Sequence, residues 1–107
     1  MTLIDVATLI GNVLTQLDAT LQTPGLSDPD WQTLYALRKH LDDQQRELIG
    51  ESIKEGDATY EKLAAQLKAA NTELATVIGD LTKVSKVIAT VSQIASYADK
   101  ILNMVIK

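Results

Sequence analysis

Three features of this chain of 107 residues predict an all-α protein, an antiparallel up-and-down helical bundle forming a single domain over 1–107. Leu, Ala, Gln, Lys and Glu are plentiful, only two prolines occur and Phe is absent, a composition that favours helix over strand. The second half carries an unbroken heptad-like repeat. Tyr60, Leu63, Leu67, Ala70, Leu74, Val77, Leu81, Val84, Ile88, Val91, Ala95, Ala98, Leu102 and Val105 are all apolar and lie three or four residues apart. Polar residues of the kind that begin and end helices punctuate the chain near residues 2, 23–30 and 55–57.

A first helix is expected over 3–22. Thr2 and Asp5 are spaced as a capping box, and Met1 and Val6 as a hydrophobic staple around the first turn. Its apolar face is Leu3, Val6, Ile10, Val13, Leu17 and Leu21. Thr23-Pro24-Gly25 stops it, because Pro24 lacks an amide donor and Gly25 admits a turn.

The second helix is placed over 28–54. Ser27 is its N-cap, Pro29 fits the first turn, and Leu26 and Trp31 are spaced as a staple. Trp31, Leu34, Leu37, Leu41, Leu48 and Ile53 form its apolar row. Gln44 interrupts that row, either as a polar core residue that fixes register or as a residue at the bundle edge. Glu55-Gly56-Asp57 reads as a stop and a restart.

Residues 58–107 contain no proline and one glycine, Gly79. The glycine with Asp80 offers a C′ residue and a new N-cap, which divides the segment into helices over 58–78 and 80–106. The alternative is three helices, the last running from about 58 to 106. Its length would be about 70–75 Å at the helical rise of 1.5 Å per residue. Helices one and two are too short to cover so long a helix, which favours the break.

Composition narrows the function classes. Ten Lys and Arg against fourteen Asp and Glu give a net charge of −4, which argues against nucleic acid as a partner. Without cysteine there is no disulfide framework, thiolate nucleophile or thiolate metal site. His40 is the only histidine. It lies beside Lys39 and three residues before Asp43, and reads as an exposed helix residue rather than a ligand. No Ser/His/Asp grouping, glycine-rich phosphate loop or Glu-x-x-His pattern occurs. The expectation is therefore a non-enzymatic protein with no catalytic, cofactor-binding or metal-binding residues and no small-molecule substrate. The N-terminus lacks the basic region of a signal peptide and no stretch is long enough to span a bilayer, so a cytoplasmic location is the default.

Charge is unevenly distributed. Residues 1–56 carry nine acids against four bases, and residues 81–107 carry four lysines against one acid, so the basic end is expected to pack near the acidic half. The C-terminal helix has the sharpest character. Val87, Ile94 and Ile101 recur every seven residues beside the seam and widen the apolar face, and Tyr97 is its one aromatic. Thr82, Ala89, Thr90, Ser92, Gln93, Ser96 and Asn103 form its weakly polar opposite face. This charge-poor amphipathic helix suits self-association into a homo-oligomer or capture of a protein partner. The other reading is a membrane-active protein, surface-binding or pore-forming, exported without a standard signal. On helix two, Asp43, Glu47, Glu51 and Glu55 are spaced four apart, a candidate docking face for a basic partner centred on Glu47 and Glu51.

Overall fold

Every long helix but the last begins where a side-chain oxygen meets the unpaired amides of a first turn. In the computed structural model, which describes residues 1–53 and 56–105, α1 (Leu3–Leu21) opens on a complete capping box. Asp5 N–H donates to Thr2 Oγ1 at 3.1 Å, and Thr2 N–H to Asp5 Oδ2 at 2.9 Å. Ser27 caps α2 (Asp28–Leu48) through Asp30 N–H, and Asp57 caps α3 (Ala58–Val77) through Tyr60 N–H. Asp80 accepts from Thr82 N–H and Oγ1 and starts a 3₁₀ turn (Leu81–Lys83) that leads into α4 (Val84–Leu102). The chain therefore breaks at Gly79-Asp80, and the four-helix arrangement holds.

The helix ends differ from the sequence-based limits. Helix α2 stops at Leu48, short of residue 54, because Ile49 turns extended (φ −70°, ψ 123°) and Gly50 takes φ +90°, a conformation that favours glycine. Ile53 is consequently off the helix, half-buried against the core. Helix α4 ends at Leu102, where Asn103 is the C-cap, and not at 106. Gly79 does not have positive φ, so the break after α3 is made by the Asp80 cap rather than by a left-handed glycine. Positions 54, 55, 106 and 107, including Glu55 of the acidic column, lie outside the described residues.

The helices pair as two antiparallel hairpins, α1 with α2 and α3 with α4. The hairpins then pack side by side so that α2 lies along α4 and α1 along α3, while the diagonal pairs α1/α4 and α2/α3 scarcely touch. Both of these cross-hairpin neighbours run parallel. Tyr60 Oη donates to Met1 O (2.7 Å) at one end of the α1/α3 pair, and Thr20 Oγ1 to Ile78 O (3.5 Å) at the other. Short loops alone would make every neighbour antiparallel; here the longer connection after Leu48 crosses the bundle diagonally. The result is an elongated body of 44 × 21 × 17 Å.

One core runs its length. Val6, Ile10, Val13 and Leu17 of α1 meet Leu34, Leu41 and Leu48 of α2, Leu67 and Leu74 of α3, and Val91, Ile94 and Ile101 of α4, all with no exposed surface. Val77 and Val87, on either side of the Gly79-Asp80 turn, are buried with them. Each such side chain contributes roughly 1.5–3 kcal/mol by leaving water.

Candidate interaction surface

The apolar seam changes phase at the Gly79-Asp80 turn. From Tyr60 to Val77 all six seam residues are buried, as their spacing requires. In α4 the buried set is Val87, Thr90, Val91, Ile94, Ala95, Ala98 and Ile101, while Leu81, Val84, Ile88 and Leu102 are only half-buried. A helical phase carried through a reversal of chain direction need not point at the same core, and α4 must face both α3 and α2. The positions beside the seam thus become its centre. Thr90, assigned by periodicity to the outer face, lies inside at 3% exposure.

This decides where the candidate contact residues sit. Val87, Ile94 and Ile101 are interior residues of the folded chain, and Tyr97 is half-buried at the edge of the same core. Glu47 is exposed on α2. Glu51 is exposed too, but it follows the end of the helix, so the column four residues apart is limited to Asp43 and Glu47. Glu51 instead lines a cleft of about 460 Å³ at the end of the bundle, together with Met1, Ile4, Ile53 and Tyr60.

Helix α2 is the most outward-facing of the four. It buries only Leu34, Leu41, Gln44 and Leu48. On its α1 side, polar latches hold the hairpin at intervals of seven residues. Trp31 Nε1 donates to Leu21 O (3.0 Å), the Arg38 guanidinium grips both oxygens of Asp18 (2.8 and 3.3 Å), and Gln45 Nε2 donates to Ala7 O (3.0 Å). Arg38 also holds the Asp18 carboxyl below its ordinary range, through its hydrogen bonds first and its charge second. Gly11 makes room for the last latch, since a Cβ there would lie 2.8 Å from Gln45 Nε2.

On its α4 side, Gln44 is a polar core residue, 2% exposed. Its Nε2 donates to Ala95 O (2.9 Å) and to Asp99 Oδ1 (2.6 Å). His40, one turn away, brings Nε2 within 3.3–3.4 Å of the same carboxylate. The histidine is therefore partnered by Asp99 of the neighbouring helix and not by Asp43. Among the described residues, no group of three or more His, Asp or Glu could hold a metal ion. The basic C-terminal segment does pack on α2, yet among the described residues its lysine ion pair is Lys86 to Glu73 of α3, at 3.4 Å.

Two aromatic residues stand apart from the core. Trp31, expected in the apolar row of α2, is 39% exposed and stacks on Tyr35, which is 48% exposed. The ring centroids are 5.1 Å apart and the planes 7° from parallel. The signal for this pair was their spacing of four residues, offset from the Leu34, Leu41, Leu48 stripe. Comparison with protein families, curated proteins and solved structures finds no match for this chain.

Proposed function

We propose that this protein is a non-enzymatic helical interaction module that binds a basic segment of a protein partner through the outward face of α2. One observation carries the reading: α2 has only four buried positions along its length, and it displays Trp31, Tyr35, Asp43 and Glu47 outside its packing stripe. Rigid helices that present aromatic and charged groups in this way suit recognition by a second protein. The acidic excess of residues 1–56 selects for a cationic partner and steers its approach.

The C-terminal helix, whose wide apolar face suggests self-association or membrane contact, places Val87, Ile94 and Ile101 inside the bundle. Use of those three side chains in either contact would require α4 to leave its neighbours, whereas Val84, Ile88, Tyr97 and Leu102 stay half-buried at its edge. Among the described residues no helix is long and apolar enough to cross a membrane.

The test is fluorescence anisotropy of a dye-labelled oligo-lysine peptide titrated with the protein. Saturable binding that weakens with added salt supports the reading, and Asp43→Lys with Glu47→Lys should weaken it at low salt. Absence of saturable binding at low salt overturns it. Co-sedimentation with anionic vesicles, accompanied by exposure of α4 to proteolysis, would favour the membrane reading instead.

A further inference from the structure

We infer that the Trp31–Tyr35 stack is the specific docking point for an arginine side chain of that basic segment, an assignment that rests on the function proposed for α2. Only four aromatic residues occur in the chain, and two of them form this exposed stacked pair. Trp31 is anchored. Trp31 Nε1–H is tied to Leu21 O across the α1–α2 hairpin, so the ring is oriented before any partner arrives. A preoriented aromatic surface loses little side-chain entropy on binding.

The charges around the stack select the occupant. Asp28 lies one helical turn before Trp31, exposed, and makes no ion pair among the described residues. Arg38 lies one turn after Tyr35, but its cation is already engaged by Asp18 at 2.8 Å and faces Asp42 at 4.0 Å. The stack is thus bordered at its N-terminal end by the Asp28 carboxylate, and at its C-terminal end by the engaged Arg38 and by the exposed Lys39, four residues after Tyr35. An incoming guanidinium can lie flat on the indole while it hydrogen-bonds a carboxylate, which an ammonium cannot do as well.

Trp31 is the only tryptophan, so its emission reports on the site directly. Titration with an oligo-arginine peptide should change that emission saturably, and more tightly than oligo-lysine of equal length. Tyr35→Ala and Asp28→Asn should each weaken the arginine peptide by about two- to fivefold, while Tyr35→Phe, which keeps the ring, should not. Circular dichroism of each variant checks that the helices persist. Undiminished binding by Tyr35→Ala, or peptide binding that leaves Trp31 emission unmoved, overturns the site. If binding then falls only with Asp43→Lys and Glu47→Lys, the broader proposal stands without it. If the unaltered protein binds neither peptide, both fail.

Discussion

Gln44 reaches from α2 to the backbone of α4 and donates its Nε2 to the carbonyl oxygen of Ala95 at 2.9 Å. It does so from a position with 2% exposure, between the buried residues Leu41 and Leu48. The same nitrogen meets Asp99 Oδ1, while Gln44 Oε1 is buried and has no partner among the described residues. An amide here aligns two parallel helices that leucine alone would leave free to slide. Replacement by Glu sets a second carboxylate beside Asp99 and removes the donor to Ala95 O. Gln44→Glu should destabilise the protein by about 2–4 kcal/mol at neutral pH, with partial recovery as the new acid is protonated. Urea denaturation at two pH values measures both effects; equal loss at both would refute the charge argument.

Gly11 and Gln45 are coupled across the α1–α2 hairpin. Gly11→Ala improves helix propensity by about 1 kcal/mol but pushes the Gln45 amide away from Ala7 O. In the Gln45→Ala background only the gain remains. A double-mutant cycle should therefore show Gly11→Ala to be more favourable when Gln45 is absent, and strict additivity would remove the steric explanation.

Glycines at two of the three interhelix breaks, Gly50 and Gly79, should respond in opposite ways. Gly50 sits at φ +90°, so Gly50→Ala should cost about 1 kcal/mol although nothing crowds the site. Gly79 is open and not left-handed, and Gly79→Ala should be neutral or mildly stabilising. Thermal melts of the two variants make the comparison.

Acid stability follows from three carboxylates held below their ordinary value of 3.8. Arg38 lowers Asp18, the backbone amide of Thr2 lowers Asp5, and the Thr82 hydroxyl lowers Asp80. A lowered folded-state value means that the unfolded chain binds these protons first as pH drops. Their contribution is complete above the ordinary value and is lost as pH falls through the folded-state values. Carboxyl NMR titration of Arg38→Gln should return Asp18 towards 3.8 and leave Asp5 and Asp80 in place. Burial raises Tyr60 above 10.0, which has the opposite consequence: its contribution is present below 10.0 and lost as pH rises through the shifted value.

The caps at Thr2, Ser27, Asp57 and Asp80, the turn after α1 and the break after α3 were all legible in the chain, because each depends on residues within one or two helical turns. The limit at Leu48 was not. Gly50 was visible, but an isolated glycine costs a helix only about 1 kcal/mol, too little to mark an end without knowing where the next helix must go. The candidate surface was harder to read. Periodicity marked Val87, Ile94 and Ile101 as an extra apolar edge and placed Trp31 in the core row; packing made the first three interior and left the tryptophan outside.

Local sequence is enough to settle that this chain is helical, where most of its helices start, and that its second half carries one long apolar stripe. Tertiary structure settles which helices become neighbours, and so which stripe residues lie inside. The diagonal connection sets α4 against α2 as well as α3, rotating its buried face onto Ile94 and bringing Asp99 to Gln44 and His40. Spacing along a helix specifies which residues share a face, but only the partners around that face decide how wide it is and where its centre lies.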